Sequence, residues 1–330
     1  MGGISNLQGR RLDVCLITPA PAGSRAGNRV TALRWARILR DLGNRVAIES
    51  EYGGRPCDLM VALHASRSFA SVDRFHRRHP DLPVILALTG TDLYGLIHTD
   101  SHAQQSMKMA SRLILLQPMG VAELPAPLRR KARVIYQSAR GPGGRASLRA
   151  RAFEVCVLGH LRSVKDPFRT AMAARLLPAS SRIQVVHIGA ALSEEMEERA
   201  RAEAKSNPRY RWVGEVPRWK ALRMLAHSRL LVLSSQMEGG ANVISEAIAA
   251  SVPVIASRIP GSVGLLGEDY PGYFPVGNTK ALAVLLRRAE TDPTYYRRLK
   301  AWCRRLKPLV DPRRERESWR RLLLEVRAGK

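Results

Sequence analysis

Aromatic residues make up only 5% of this 330-residue chain and form no stacking or RNP-like pattern. Nucleic-acid binding therefore lacks its second requirement, although 54 Lys and Arg against 28 Asp and Glu give a net charge of +26. The charge still calls for anionic partners, and an anionic membrane surface or small anionic substrates remain. Cysteine is also scarce: Cys15, Cys57, Cys156 and Cys303 stand far apart, with no Cys-x-x-Cys or Cys/His cluster. That spacing excludes a disulfide framework and structural zinc, and the apolar runs around Cys15 and Cys156 make buried, inert thiols of both. No apolar run approaches the roughly 20 residues that span a bilayer, and Met1 to Arg11 lacks the apolar core of a signal peptide, so a cytoplasmic protein is expected. There is no Asp-x-Asp metal motif and no Gly-x-Gly-x-x-Gly dinucleotide fingerprint.

What is present is alternation. Short apolar runs at 12–18, 45–49, 58–64, 84–88, 113–116 and 133–136 read as strands, and Val30 to Leu42 reads as an amphipathic helix stopped by Gly43. The loop-like stretch Ser138 to Arg145 marks a domain boundary, after which the alternation restarts. Strands are predicted at 154–158, 183–188, 212–213, 230–233 and 252–256, with helices at 167–177, 194–206, 218–226, 241–250 and 280–290. The expected fold is α/β, with two Rossmann-like, doubly wound parallel-sheet domains facing a central cleft at the carboxyl ends of their strands. The domains are expected at 1–145 and 146–310, and the tail reads as helices anchored by Trp302 and Trp319.

The richest motif is Met237-Glu238-Gly239-Gly240-Ala241-Asn242, followed by Val243-Ile244-Ser245-Glu246. It lies between the apolar strand Leu230 to Leu233 and a helix of small residues, so its glycine turn opens onto a helix N-terminus. Backbone N–H groups and the helix dipole favour an anion there, and a diphosphate fits. Glu246 falls a little over two turns beyond Glu238, so the two carboxylates reach different parts of an elongated ligand. After the first strand of the second half, Gly159-His160-Leu161-Arg162-Ser163-Val164-Lys165 adds Lys165 and Arg162 as counter-charges for a phosphate leaving group. His160 faces the acceptor or is an ordinary hydrogen-bonded loop histidine. In the first half, the loop from Ala20 to Arg29 contributes Gly23, Arg25 and Arg29, with Asn28 placed to cap the helix. The two arginines stand on the acceptor side or face solvent. His64 with Arg67, and Thr89 with Thr91 and Asp92, sit at the ends of two further strands.

The Glu-x7-Glu motif followed by Val252-Pro253-Val254-Ile255 resembles the nucleotide-sugar site of GT-B glycosyltransferases, family 4 in particular. That resemblance implies that Glu246 binds the ribose hydroxyls and Glu238 the transferred sugar, with Gly239, Gly240, Ala241, Asn242, Lys165 and Arg162 around the diphosphate. It also implies a last helix, within 311–330, that crosses back onto the N-terminal domain. The opening Ile17-Thr18-Pro19-Ala20-Pro21-Ala22-Gly23-Ser24-Arg25-Ala26-Gly27-Asn28-Arg29 is similar to that of the selenosugar synthases of selenoneine biosynthesis. Leu88-Thr89-Gly90-Thr91-Asp92 and Gly159-His160-Leu161-Arg162 extend the similarity. It implies transfer of a sugar from UDP-N-acetylglucosamine or UDP-glucose to the selenium of selenophosphate, giving a β-selenosugar, UDP and phosphate. Glu238, Arg25, Arg29 and His160 then carry the chemistry, and Gly23, Asn28, His64, Thr89, Thr91 and Asp92 line the acceptor and sugar cleft. No cofactor and no metal are expected, since a helix dipole and basic side chains stabilise the leaving group. Domain closure is expected to exclude water from the reaction. The competing expectations are a lipid-linked or polysaccharide hydroxyl acceptor, a sugar-nucleotide epimerase, and a basic binding protein without catalysis.

Overall fold

A computed structural model describes residues 10–24, 26–141 and 152–328. The chain divides into two compact units, one formed by 1–137 together with 312–330 and the other by 138–311.

The first unit is built on β1 (Asp13–Ile17), β2 (Arg45–Glu49), β3 (Leu59–Leu63), β4 (Val84–Leu88), β5 (Arg112–Leu115) and β6 (Ala132–Val134). They form one sheet in the order β2-β1-β3-β4-β5-β6, and every pairing is parallel. The strands at its centre are continuous aliphatic runs because both faces are covered. Side chains alternate between faces. Val14, Leu16, Val61 and Leu63 point to a layer that holds Trp35 and Leu39 of α1 (Gly27–Asp41). Cys15, Ile17, Met60 and Ala62 point to the other layer, with Val72 and Phe75 of α2 (Phe69–Arg78). Between β4 and β5 the chain makes a wide turn at Asp92–Leu96, a single helical turn α3 (Ile97–Thr99), and α4 (Ser101–Met109).

The second unit has β7 (Phe153–Leu158), β8 (Ile183–Ile188), β9 (Tyr210–Trp212), β10 (Leu230–Leu233), β11 (Val254–Ser257) and β12 (Tyr273–Phe274). The order is β12-β11-β10-β7-β8-β9, again all parallel. Its helices are α5 (Arg169–Arg175), α6 (Glu194–Ser206), α7 (Arg218–His227), α8 (Asn242–Ala249), α9 (Pro260–Leu266), α10 (Thr279–Thr291) and α11 (Pro293–Arg305). Helix starts follow ordinary capping chemistry: Ser193 caps α6, Asn278 caps α10, and Asp292 accepts from two N–H groups ahead of Pro293 in α11. The expected α/β, doubly wound parallel architecture is the one observed. The two-residue β12 escapes a reading based on apolar runs because its edge position is set by pairing with β11.

The last helix, α12 (Pro312–Arg327), belongs to the first unit. Its Trp319, Leu322, Leu323 and Val326 complete the α1 side of the core, with Trp35 and Trp319 in edge contact at 5.0 Å between centroids. Trp302 anchors α11 differently, half-buried with its indole N–H donating to the Leu266 carbonyl at 2.7 Å. All four cysteines are buried free thiols.

Candidate active site

The second unit's site is assembled at the carboxyl ends of β7 and β10, which are neighbours in the sheet. Four fully buried aliphatics carry β10 to Leu233, and Ser234 then turns back to donate its hydroxyl to the carbonyls of Asp166 (2.9 Å) and Lys165 (3.3 Å). The Gln236 N–H donates to the Val164 carbonyl at 2.9 Å. These bonds stitch the loop after β10 to the loop after β7, and they explain why Lys165 and Glu238 meet although 73 residues separate them. The two form an ion pair, and the Ser235 hydroxyl donates to the same Glu238 oxygen at 2.7 Å. The Glu238 carboxylate is largely buried and Lys165 is one-third exposed. Behind them α9 begins at Pro260, and its Gly261 packs so closely that any side chain there would overlap the Glu238 carbonyl. The turn at 238–240 is therefore held from three sides.

Gly239 and Gly240 lead directly into α8. Its cap residue Ala241 has no side-chain oxygen to offer and makes no side-chain capping bond. Glu246 lies in the middle of α8, only 4% exposed, and its Oε1 is 2.5 Å from the Arg218 guanidinium. Arg218 is the first residue of α7 and is half exposed. Sequence reasoning misses Arg218: it carries no motif, and the one available signal is a basic residue directly after Pro217 at a helix start.

The loop after β7 is braced from β8. His187 donates from Nε2 to the Gly159 carbonyl at 3.1 Å and accepts at Nδ1 from the Tyr210 hydroxyl at 3.0 Å. His160 accepts the Ala190 N–H at its Nδ1 (3.1 Å), which fixes the ring as part of the loop and leaves Nε2 as its hydrogen-bearing nitrogen when neutral. Arg162 is exposed, and Asp166 takes a left-handed φ of 44° with its carboxylate bonded to Arg169 at 2.7 Å.

Burial pushes the His187 imidazole down to about 4. The unfolded chain, with an ordinary histidine, takes up its proton near pH 6.5. Between those values the unfolded state binds more protons, so stability rises with pH and is lost on acidification from about 6.5 towards 4. Chemical denaturation across that window is expected to show a slope from this residue approaching roughly 1.4 kcal/mol per pH unit. His187→Gln should flatten that slope, and an unchanged slope would remove His187 as the cause.

In the first unit, Arg25 lies outside the described residues. Gly23 is exposed with φ at 81°, and Ser24, through its hydroxyl, accepts the Ala26 N–H at 3.1 Å. Helix α1 starts at Gly27, three residues earlier than the apolar pattern indicates, with Ala26 as its cap. The expectation that Asn28 caps it is therefore corrected: Asn28 lies within the first turn, because the Ser24 turn already delivers the chain in helical direction. Arg29 is half-buried and lines a hollow of about 550 Å³ with Glu49, Glu51 and Arg55.

His64, Thr91 and Asp92 are brought together in a closed knot. His64 accepts the Arg67 N–H at Nδ1 and bonds the Thr91 hydroxyl through Nε2, both at 3.3 Å. Burial holds its imidazole below the usual histidine range. Asp92 is fully buried; one carboxylate oxygen accepts from the N–H groups of Thr89 and Gly90, and the other from that of Ala65 at 2.9 Å. Asp92 thus shapes the turn after β4, while Thr89 and Thr91 are half-buried.

Two all-parallel, six-stranded Rossmann-like sheets, with a carboxylate–lysine pair at a glycine turn before a helix, define the GT-B glycosyltransferase fold in this chain. The family model for glycosyl transferases group 1 matches residues 145–304, a stretch that lies within the second unit. The structure is similar to Anabaena HepE solved with UDP and glucose (14% identity, 97% of this chain and 100% of that one, TM-score 0.72). It is likewise similar to sucrose-phosphate synthase from Thermosynechococcus elongatus (16% identity, 97% and 100% covered, TM-score 0.77). The trehalose 6-phosphate synthase of Burkholderia multivorans is more distant in shape (14% identity, 83% and 72% covered, TM-score 0.66). No curated protein matches the chain. Among the described residues there is no cluster of three or more His, Cys, Asp and Glu arranged to hold a metal ion. No helix among them is long and apolar enough to cross a membrane.

Proposed function

We propose that this protein is a selenosugar synthase that transfers a sugar from a UDP-sugar to the selenium of selenophosphate. The observation that carries the donor half is the Lys165–Glu238–Ser235 cluster at the turn into α8, with Glu246 buried about one turn into that helix. Anabaena HepE, which shares the fold, was solved with UDP and with UDP-glucose. In the proposed reaction the diphosphate lies on Gly239, Gly240 and the N–H groups that open α8, and Lys165 neutralises the charge that develops on departing UDP. Glu246 takes the ribose hydroxyls and Glu238 the sugar. Lys165 then has two partners in turn: Glu238 before the donor binds, and the leaving phosphate as the bond to the anomeric carbon breaks.

The selenium half is supported by the similarity of the opening segment, 17–29, to selenosugar synthases, and by chemistry. Selenophosphate is anionic at neutral pH, so its selenium needs counter-charges and aim more than a base that removes a proton. Arg25 and Arg29 are assigned to that task, and Gly23, Thr89 and Thr91 to lining the acceptor side. Selenium forms the new bond to the anomeric carbon while the bond from that carbon to the UDP oxygen breaks. Water then takes the phosphoryl group from selenium, leaving the selenosugar and phosphate. Inversion of an α donor gives the β product.

The test is anaerobic incubation with UDP-N-acetylglucosamine or UDP-glucose and freshly made selenophosphate, read by mass spectrometry for a selenium isotope pattern on the sugar and for free UDP. A selenosugar that disappears in Glu246→Ala and in Arg25→Ala is the expected result. UDP release that requires a lipid-linked or polysaccharide hydroxyl acceptor would keep the donor half and overturn the selenium half. Because Lys165 and the α8 terminus supply the leaving-group charge, turnover is expected to survive excess EDTA; loss of activity that magnesium restores would contradict that role.

A further inference from the structure

We infer that Arg218 is a positioning residue for the nucleotide's ribose, acting through Glu246; this rests on the donor reading above. A carboxylate that is 4% exposed, inside a helix of small apolar residues, is costly to keep ionised without a partner. The guanidinium 2.5 Å from its Oε1 is that partner. Arginine stays protonated at any working pH, so a positive charge always stands against this carboxylate. The backbone that carries the guanidinium is well defined. Pro217 precedes it as the cap of α7 with φ at −53°, and Arg218 is the first residue of that helix. Its side chain is 47% exposed, so it reaches inward to Glu246 while keeping contact with solvent.

The geometry matters for what the carboxylate can do next. An ionised carboxylate offers about four acceptor positions, and a protonated one offers fewer and adds a donor. A vicinal diol needs two acceptor positions held at fixed direction. Arg218 contacts Glu246 at Oε1, which biases the orientation of the carboxylate towards the two ribose hydroxyls. The two carboxylates of the site thus have separate cations: Lys165 for Glu238 and Arg218 for Glu246. The second cation is assigned to orientation of the ribose, not to neutralising the diphosphate.

A ligand–mutant cycle tests this. Dissociation constants for UDP and 2′-deoxy-UDP are measured by calorimetry on the full chain, wild type and Arg218→Ala, with Arg218→Lys as a variant that keeps a charge at the site. Wild type should prefer UDP by roughly 10- to 100-fold, the loss expected when a hydrogen bond to a charged acceptor is removed. Arg218→Ala should shrink that preference to about twofold or less, and Arg218→Lys should restore part of it. Equal weakening of both ligands in Arg218→Ala, with the preference intact, would overturn the inference and place the side chain at the diphosphate or in the scaffold. An intact preference with unchanged affinity would overturn it as well. Wild type that binds no UDP at all would instead overturn the donor reading on which the inference rests. Should Arg218→Ala fail to fold, Arg218→Lys decides alone: a fixed ammonium that cannot reproduce the guanidinium geometry must lower the preference, and an unchanged preference refutes the assignment.

Discussion

Lys165→Ala is expected to lower UDP-sugar turnover by roughly 10²- to 10³-fold, the usual cost of removing one preorganised group that stabilises a developing oxyanion. The fall should appear in kcat more than in KM, because the charge it meets grows as UDP departs. Stability should change far less. Lys165 is one-third exposed and Glu238 keeps its bond from Ser235, so the folded state loses one partly solvated ion pair. Lys165→Ala and Glu238→Ala combined should cost much less than the sum of the single losses, since each removes half of one cluster. Steady-state kinetics on the three variants, beside thermal melts, checks this. Turnover unchanged in Lys165→Ala would remove it from the leaving-group role.

The second large effect is on stability. Trp319→Ala should destabilise the first unit by about 3–5 kcal/mol, the range for deleting a buried large aromatic. Trp319 and Trp35 are both fully buried and meet edge to face at 5.0 Å. The Trp35 indole N–H donates to Glu315 at 2.8 Å, and Arg34 pairs with the same oxygen at 3.2 Å. Through these contacts α12 closes the face of the sheet that α1 covers only in part. The midpoint of thermal unfolding should fall by roughly 10 °C. Arg316→Ala, an exposed neighbour on the same helix, should leave it within a degree or two. A Trp319→Ala protein that melts with the wild type would show that α12 contributes little to this core.

The strands were the most legible part of the molecule. Runs such as Leu59–Leu63 and Val84–Leu88 are wholly apolar because parallel strands are buried on both faces, and such runs stand out against a chain rich in arginine. The doubly wound class follows from their alternation with helices. Boundaries were less legible at α1, where Ser24 rather than Asn28 sets the entry to the helix. β12 was missed because two residues carry no period, and Asp92–Leu96 because a wide helical turn has none of the usual spacing.

For the candidate site, local composition marks the glycine turn at 238–240 and the carboxylates on either side of it, since turn, strand and helix signals there are contiguous. The partners of those carboxylates are another matter. With 54 basic side chains in the chain, no local rule selects Lys165 for Glu238 or Arg218 for Glu246. Strand order selects the first pair, because β7 lies beside β10 and the loops at their ends are tied through Ser234 and Gln236. Helix packing selects the second by setting the start of α7 against the middle of α8. By itself the sequence determined where the chain extends, coils and turns, because those choices depend on residues a few positions apart. The tertiary structure decided which charge stands against which, because Coulombic pairing depends on distance in space, and that is known only once the strands have taken their places in the sheet.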